Sequence, residues 1–244
     1  MDTATITDTE KAARDAGTVG EVQERVVACR ACPRLVEWRE ETARVKRRMY
    51  RDEDYWGRPL AAFGDPNARL LIVGLAPAAH GGNRTGRMFT GDRSGDWLFG
   101  ALHRAGFANQ PESTRPGDGL ELRGALITAA ARCAPPQNKL TPGELSACRP
   151  YITREIELLT DLRAVVALGR IAFDAFLRAW AAAGRTPPER KPPFGHDVAT
   201  PLPDGGPLLI ACYHPSQQNT QTGRLTETML DDVFTRARAA VQQL

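Results

Sequence analysis

Five cysteines stand at positions 29, 32, 133, 148 and 212 of a 244-residue chain, and four of them have a spacing that suits metal chemistry. Cys29-Arg30-Ala31-Cys32 is a CxxC pair at a helix junction, since Pro33 directly after it is suited to the first turn of a second helix. Cys133 follows a short apolar run. Cys148 falls on the helix that Thr141-Pro142-Gly143-Glu144, a capping box with proline at the first helical position, should open. Four thiolates suit either tetrahedral zinc or an iron–sulfur cluster, and reduced buried cysteine is the plain alternative. Cys212 lies inside an apolar strand and reads as core.

A second set of reactive side chains sits in two polar stretches. The first, Gly74 to Asp92 (GLAPAAHGGNRTGRMFTGD), contains Gly81, Gly82, Gly86 and Gly91, which let backbone approach a ligand closely, together with Asn83, Arg84, Thr85, Arg87, Thr90 and Asp92. The second, His214 to Thr226 (HPSQQNTQTGRLT), has little apolar content to bury and reads as a loop made to contact phosphates or bases.

These groups need a scaffold that presents them together. Leu70 to Val73 is a continuous apolar run without alternation, the pattern of a strand covered on both faces. Leu126 to Ala131, Ala164 to Gly169 and Leu208 to Tyr213 repeat it, separated by helical segments. The expected fold is α/β, a three-layer αβα arrangement around a four-stranded parallel sheet. Both polar stretches then emerge at the carboxyl edge of the sheet, where open α/β sheets bind ligands. Ser94 is expected to cap the helix after the first loop. Residues 1–18 read as a disordered tail and 19–244 as a single domain.

Composition narrows the class further. The net charge is only +3, too mild by itself to require nucleic acid. Arg44, Lys46, Arg47, Arg48, Arg51 and Arg58 nevertheless crowd one short region that could track phosphates or simply form a solvated helix face. No apolar run approaches membrane length and the N-terminus is polar and acidic, so a cytoplasmic protein without membrane contact is expected. There is no GxGxxG after the first strand and no P-loop, which argues against a nucleotide cofactor.

The two polar motifs, in this order, and the four-cysteine pattern resemble the uracil-DNA glycosylase superfamily, specifically its family-5, or B-type, branch, from Cys29 to the C-terminus. The resemblance implies a [4Fe-4S] cluster on Cys29, Cys32, Cys133 and Cys148, and hydrolytic removal of uracil from DNA by a monomer. It also implies roles for individual residues. Gly74, Ala76 and Phe89 would form the base pocket, with Phe89 stacking on a flipped base. His214 would stabilise negative charge on the leaving group. Gln217, Gln218 and Asn219 would enter the minor groove, and Arg84 and Arg224 would contact phosphates.

Ala76 stands where other branches carry a water-orienting Asp or Asn, an apolar replacement that marks the B-type branch. Asn83 is then the expected water-positioning group, and Asp92 is the nearest loop carboxylate. An alanine near position 129, where some relatives have Asn to read the base edge, suggests tolerance of hypoxanthine and xanthine. Neither motif contains lysine, so an intact abasic strand is the expected product. Two rivals remain, a binding protein of the same fold that traps uracil-containing DNA without turnover, and an enzyme acting on free nucleotides.

Overall fold

The computed structural model describes residues 3–242, with side chains from residue 8 onward. In chain order the helices are α1 (Thr3–Arg14), α2 (Val19–Ala28), α3 (Pro33–Val45), α4 (Gly82–Thr85), α5 (Arg93–Arg104), α6 (Pro142–Leu158), α7 (Arg170–Ala182), α8 (Gln217–Gln221) and α9 (Glu227–Gln242). The strands are β1 (Phe63–Gly64), β2 (Leu70–Gly74), β3 (Ala125–Ala129), β4 (Ala164–Leu168), β5 (Val198–Pro201) and β6 (Leu208–Cys212).

The sheet has the order β1-β3-β2-β4-β6-β5. Its four central strands are parallel, and they are the four apolar runs of the sequence. Their lack of alternation follows from the two layers that cover them. Leu70, Ile72, Val166 and Ile210 pack against Leu98, Phe99 and Leu102 of α5 and Val233 and Phe234 of α9. Leu71, Val73, Val165 and Leu209 face the other way, against Ile152 and Ile156 of α6 and Phe173 and Phe176 of α7. The two edge strands, β1 and β5, are antiparallel additions to the expected four. β1 is two residues long and β5 ends in proline, so neither carries a strong pattern.

Two further differences concern helix boundaries and the N-terminus. Asp92, rather than Ser94, caps α5; its Oδ1 accepts from the amides of Ser94 and Gly95. Much of residues 1–18, expected to be a disordered tail, is helical. Ala13 and Ala16 are buried with Val22 and Val26 of α2 and Tyr151 of α6, and the Arg154 guanidinium donates to the Ala16 carbonyl at 2.8 Å. Small alanines read as unpatterned in sequence, yet they are what lets helices approach closely. The capping box at Thr141 and Glu144 and the proline opening α3 are present as the sequence implies.

Candidate active-site cleft and cysteine pocket

The carboxyl ends of β2 and β6 release the two polar motifs on the same edge of the sheet, and a cleft of about 730 Å³ opens between them. Ala76, His80 and Asp92 line it from the first loop, and His214, Gln217 and Gln218 from the second. Its outer lip is made by Arg47 and Tyr50, from the basic stretch, and by Arg93 at the start of α5. Arg47 and Arg93 are exposed and form no ion pair among the described residues. Sequence reasoning noted Arg47 only as part of a charge run and passed over Tyr50, His80 and Arg93. His80 lay within the quoted motif and was the one available signal.

His214 begins the second loop just after β6. The ring of Phe89 lies 5.9 Å from its imidazole, and Gly169, at φ +97°, brings backbone close to its Cβ. No protein hydrogen bond reaches the imidazole, and burial alone lowers its pKa to about 4. The ring is therefore neutral at physiological pH and keeps one N–H to donate. Its backbone is fixed instead of its ring, since the His214 carbonyl accepts from the Asn219 side chain at 2.9 Å and from the Ser216 amide at 2.7 Å. Asn219 is thus turned inward, whereas Gln217 and Gln218 on α8 are exposed. Arg224 is also exposed, over the ring of Tyr213.

Phe89 is half-buried and adopts φ +52°, an uncommon conformation for a bulky residue. Its ring lies directly over Gly74, where a Cβ would meet it at 3.0 Å. Glycine at the end of β2 therefore makes room for the aromatic face.

Two expected site residues are placed elsewhere. Asn83 is fully buried and does not line the cleft; its Nδ2 donates to the carbonyls of Arg39 and Ala79. Arg84 pairs with Glu53, donates to the carbonyls of His80 and Gly91, and stacks over Tyr50 at 3.9 Å. Neither faces solvent as a water-positioning or phosphate-binding group should. The reason is local: the loop coils into the short turn α4, and its own carbonyls need donors. Arg87 is likewise internal, in a buried pair with Asp118.

The cysteines meet in a separate pocket against α3. Cys29, Cys32, Cys133 and Cys148 line one small pocket with Leu35, Val36, Arg39, Arg132 and Tyr151, although more than a hundred residues separate the CxxC pair from Cys148. Burial pushes the thiols of Cys32 and Cys133 up, to about 12 and about 11, and that of Cys148 higher still. These three thiols stay protonated when bare, and a bound cation would be what holds them as thiolates. Among the described residues no group has the close spacing that holds a single metal ion. Two buried guanidiniums flank the pocket. Arg39 donates to Cys133 Sγ at 3.0 Å, and Arg132 pairs with the buried Glu155; Nε of Arg39 and Nε and Nη1 of Arg132 have no hydrogen-bond partner. Cationic groups with spare donors beside four sulfurs fit an anionic thiolate-ligated group larger than one ion.

A family model for the uracil DNA glycosylase superfamily matches residues 61–238. A type-5 uracil-DNA glycosylase of Mycobacterium tuberculosis is 56% identical over 224 residues, covering 91% of this chain and 82% of that protein. The type-5 enzyme of Thermus thermophilus is 53% identical over 87% of this chain and 94% of its own length, and that of Pyrobaculum aerophilum 45% over 88% and 90%. Likeness of this degree reaches from the cysteine pocket through both walls of the cleft, and the chain belongs to the type-5 branch of the uracil-DNA glycosylase superfamily.

Proposed function

We propose that the protein hydrolyses the N-glycosidic bond of uracil in DNA and so begins base excision repair. The observation that carries this reading is the pairing of Phe89 with His214, an aromatic ring 5.9 Å from a neutral N–H donor that lines the cleft between the loops after β2 and β6. A base rotated out of the helix stacks on Phe89 above Gly74. As the bond to the sugar breaks, the electron pair leaves with the base, and His214 donates to the oxygen where that charge gathers. A neutral imidazole suits this task, because a cation in the same apolar setting would itself be destabilised.

The DNA is held from both sides. Gln217 and Gln218 enter the minor groove and occupy the space that the base has left, while Asn219 fixes the His214 backbone from below. Arg224, Arg47 and Arg93 contact phosphates, and the strand's own phosphates help to stabilise the cationic sugar. Cys29, Cys32, Cys133 and Cys148 would hold a [4Fe-4S] cluster, which when bound supplies a cross-link between the α2–α3 junction and the β3–α6 segment. With no lysine lining the cleft, the product is an abasic site in an uncut strand. The protein works as a monomer.

Hypoxanthine and xanthine are further substrates, because Ala76, Ala129, Ala130 and Ala131 offer no side chain that reads a pyrimidine edge. The test is single-turnover incubation with labelled duplexes containing uracil, hypoxanthine or no lesion, followed by alkali. Alkali-dependent cleavage at uracil is expected, and cleavage at hypoxanthine checks the extension. A protein–DNA adduct stable to hot detergent would instead favour the binding-protein alternative.

A further inference from the structure

We propose that Asp92 is the base that activates the attacking water, with His80 as the water's second partner; the inference rests on the glycosylase reading above. With Ala76 apolar and Asn83 sealed behind the loop, the cleft needs another group to receive the proton of water. Asp92 lines the cleft and is anchored through one oxygen only: Oδ1 accepts from the Ser94 and Gly95 amides, and Oδ2 takes no hydrogen bond from the protein. That free oxygen lies against Gly81, where an added Cβ would sit 2.2 Å from it, so glycine is required beside it. The neighbour of Gly81 is His80, which also lines the cleft; its Nδ1 is 3.0 Å from the Tyr55 hydroxyl, and its Nε2 takes part in no hydrogen bond among the described residues. A carboxylate oxygen and an imidazole nitrogen thus flank one glycine on the wall that faces His214.

The step balances without a further reactant. The C1′–N bond breaks with its electron pair going to the base, the water oxygen bonds to C1′, and the water proton passes to Asp92 Oδ2. Burial raises the Asp92 carboxyl above its usual value despite the two amide bonds, which makes it the better base. Asp96, in the first turn of α5, acts in the same direction and Arg84 opposes it; His80, Arg47, Tyr50, Arg93 and His214 are the other titratable or charged groups on the cleft.

The test uses Asp92→Asn and Asp92→Ser, since both residues cap helices well and α5 should stay intact. Single-turnover uracil release is followed from pH 5 to 8, beside melting temperature and affinity for a duplex carrying an abasic-site analogue. Both variants are expected to lose about a hundredfold or more in rate and to lose any rise in rate with pH that the Asp92 carboxylate gives wild type, with affinity and melting temperature kept. His80→Ala should lose about tenfold, the worth of one hydrogen bond to the reacting water. Rates within about threefold of wild type, or a loss matched by equal loss of affinity, would overturn the assignment. An inert wild-type protein would overturn the glycosylase reading itself, a result distinct from an active wild type with active Asp92 variants.

Discussion

The cysteine pocket and the cleft are separate sites and are built on opposite principles. The pocket is small and assembled from remote segments; burial disfavours the thiolates of Cys32, Cys133 and Cys148, and two buried guanidiniums beside them keep nitrogens without partners. The cleft is wide, and the two loops that form most of it have their backbones held by their own side chains. Arg84 braces the first loop, and Asn219 and Ser216 brace the second. The difference teaches that the pocket is arranged around the cluster proposed for it, whereas the cleft loops are braced by protein hydrogen bonds. Arg39 joins the two regions, since its guanidinium reaches Cys133 while its carbonyl receives Asn83 of the cleft loop.

The sharpest way to break this contrast is to remove a thiol. Cys133→Ser should abolish visible absorbance and lower stability enough to impair folding, because structural metal sites contribute much of their domains' folding energy. Persistence of both the colour and the melting temperature would mean that Cys133 is not a ligand. The next largest effect is expected at Glu155, which accepts from Thr128, Gln23 and Arg132 while fully buried. Glu155→Ala strands the Arg132 guanidinium and should cost about 3–5 kcal/mol in urea unfolding, with little direct effect on base release per folded molecule.

Changes in the cleft should do the reverse. His214→Ala should slow uracil release by about 10²–10³-fold and leave the melting temperature nearly unchanged. Because His214 titrates lower in the folded protein than its ordinary value of 6.5, protons favour the unfolded chain; its contribution to stability is present above that value and fades as pH falls toward about 4. Wild type should therefore lose more stability than His214→Ala on acidification through that window, as paired thermal melts would reveal. The smallest effect belongs to the lip. Arg47→Ala with Arg93→Ala should reduce the salt slope of DNA binding by about two units, with the single-turnover rate at saturating enzyme kept. An unchanged slope would take the lip out of the DNA contact.

How far the sequence carried this account depended on the kind of residue. The four parallel strands were readable, because burial on both faces leaves an unbroken apolar run at each. Phe89 and His214 stand out in the sequence through their motifs, and the fold brings their rings within 5.9 Å of each other. Asn83 and Arg84 were misread because polarity in a glycine-rich loop does not reveal direction: the same donors serve either a ligand or the loop's own carbonyls, and here they turn inward. Helix α1 and the buried Ala13 and Ala16 were missed because small side chains pack closely without raising the hydrophobic signal. Cys212 was read as core from its strand and is fully buried there.

The central claim is that the Phe89–His214 cleft releases uracil from DNA. Single-turnover incubation of wild type and His214→Ala with a uracil-containing duplex, read by alkali cleavage, tests it most directly. The account predicts an alkali-labile site at uracil for wild type and a large loss of rate in the variant at unchanged affinity. No alkali-labile product from intact wild type, or equal rates for the two proteins, would contradict it.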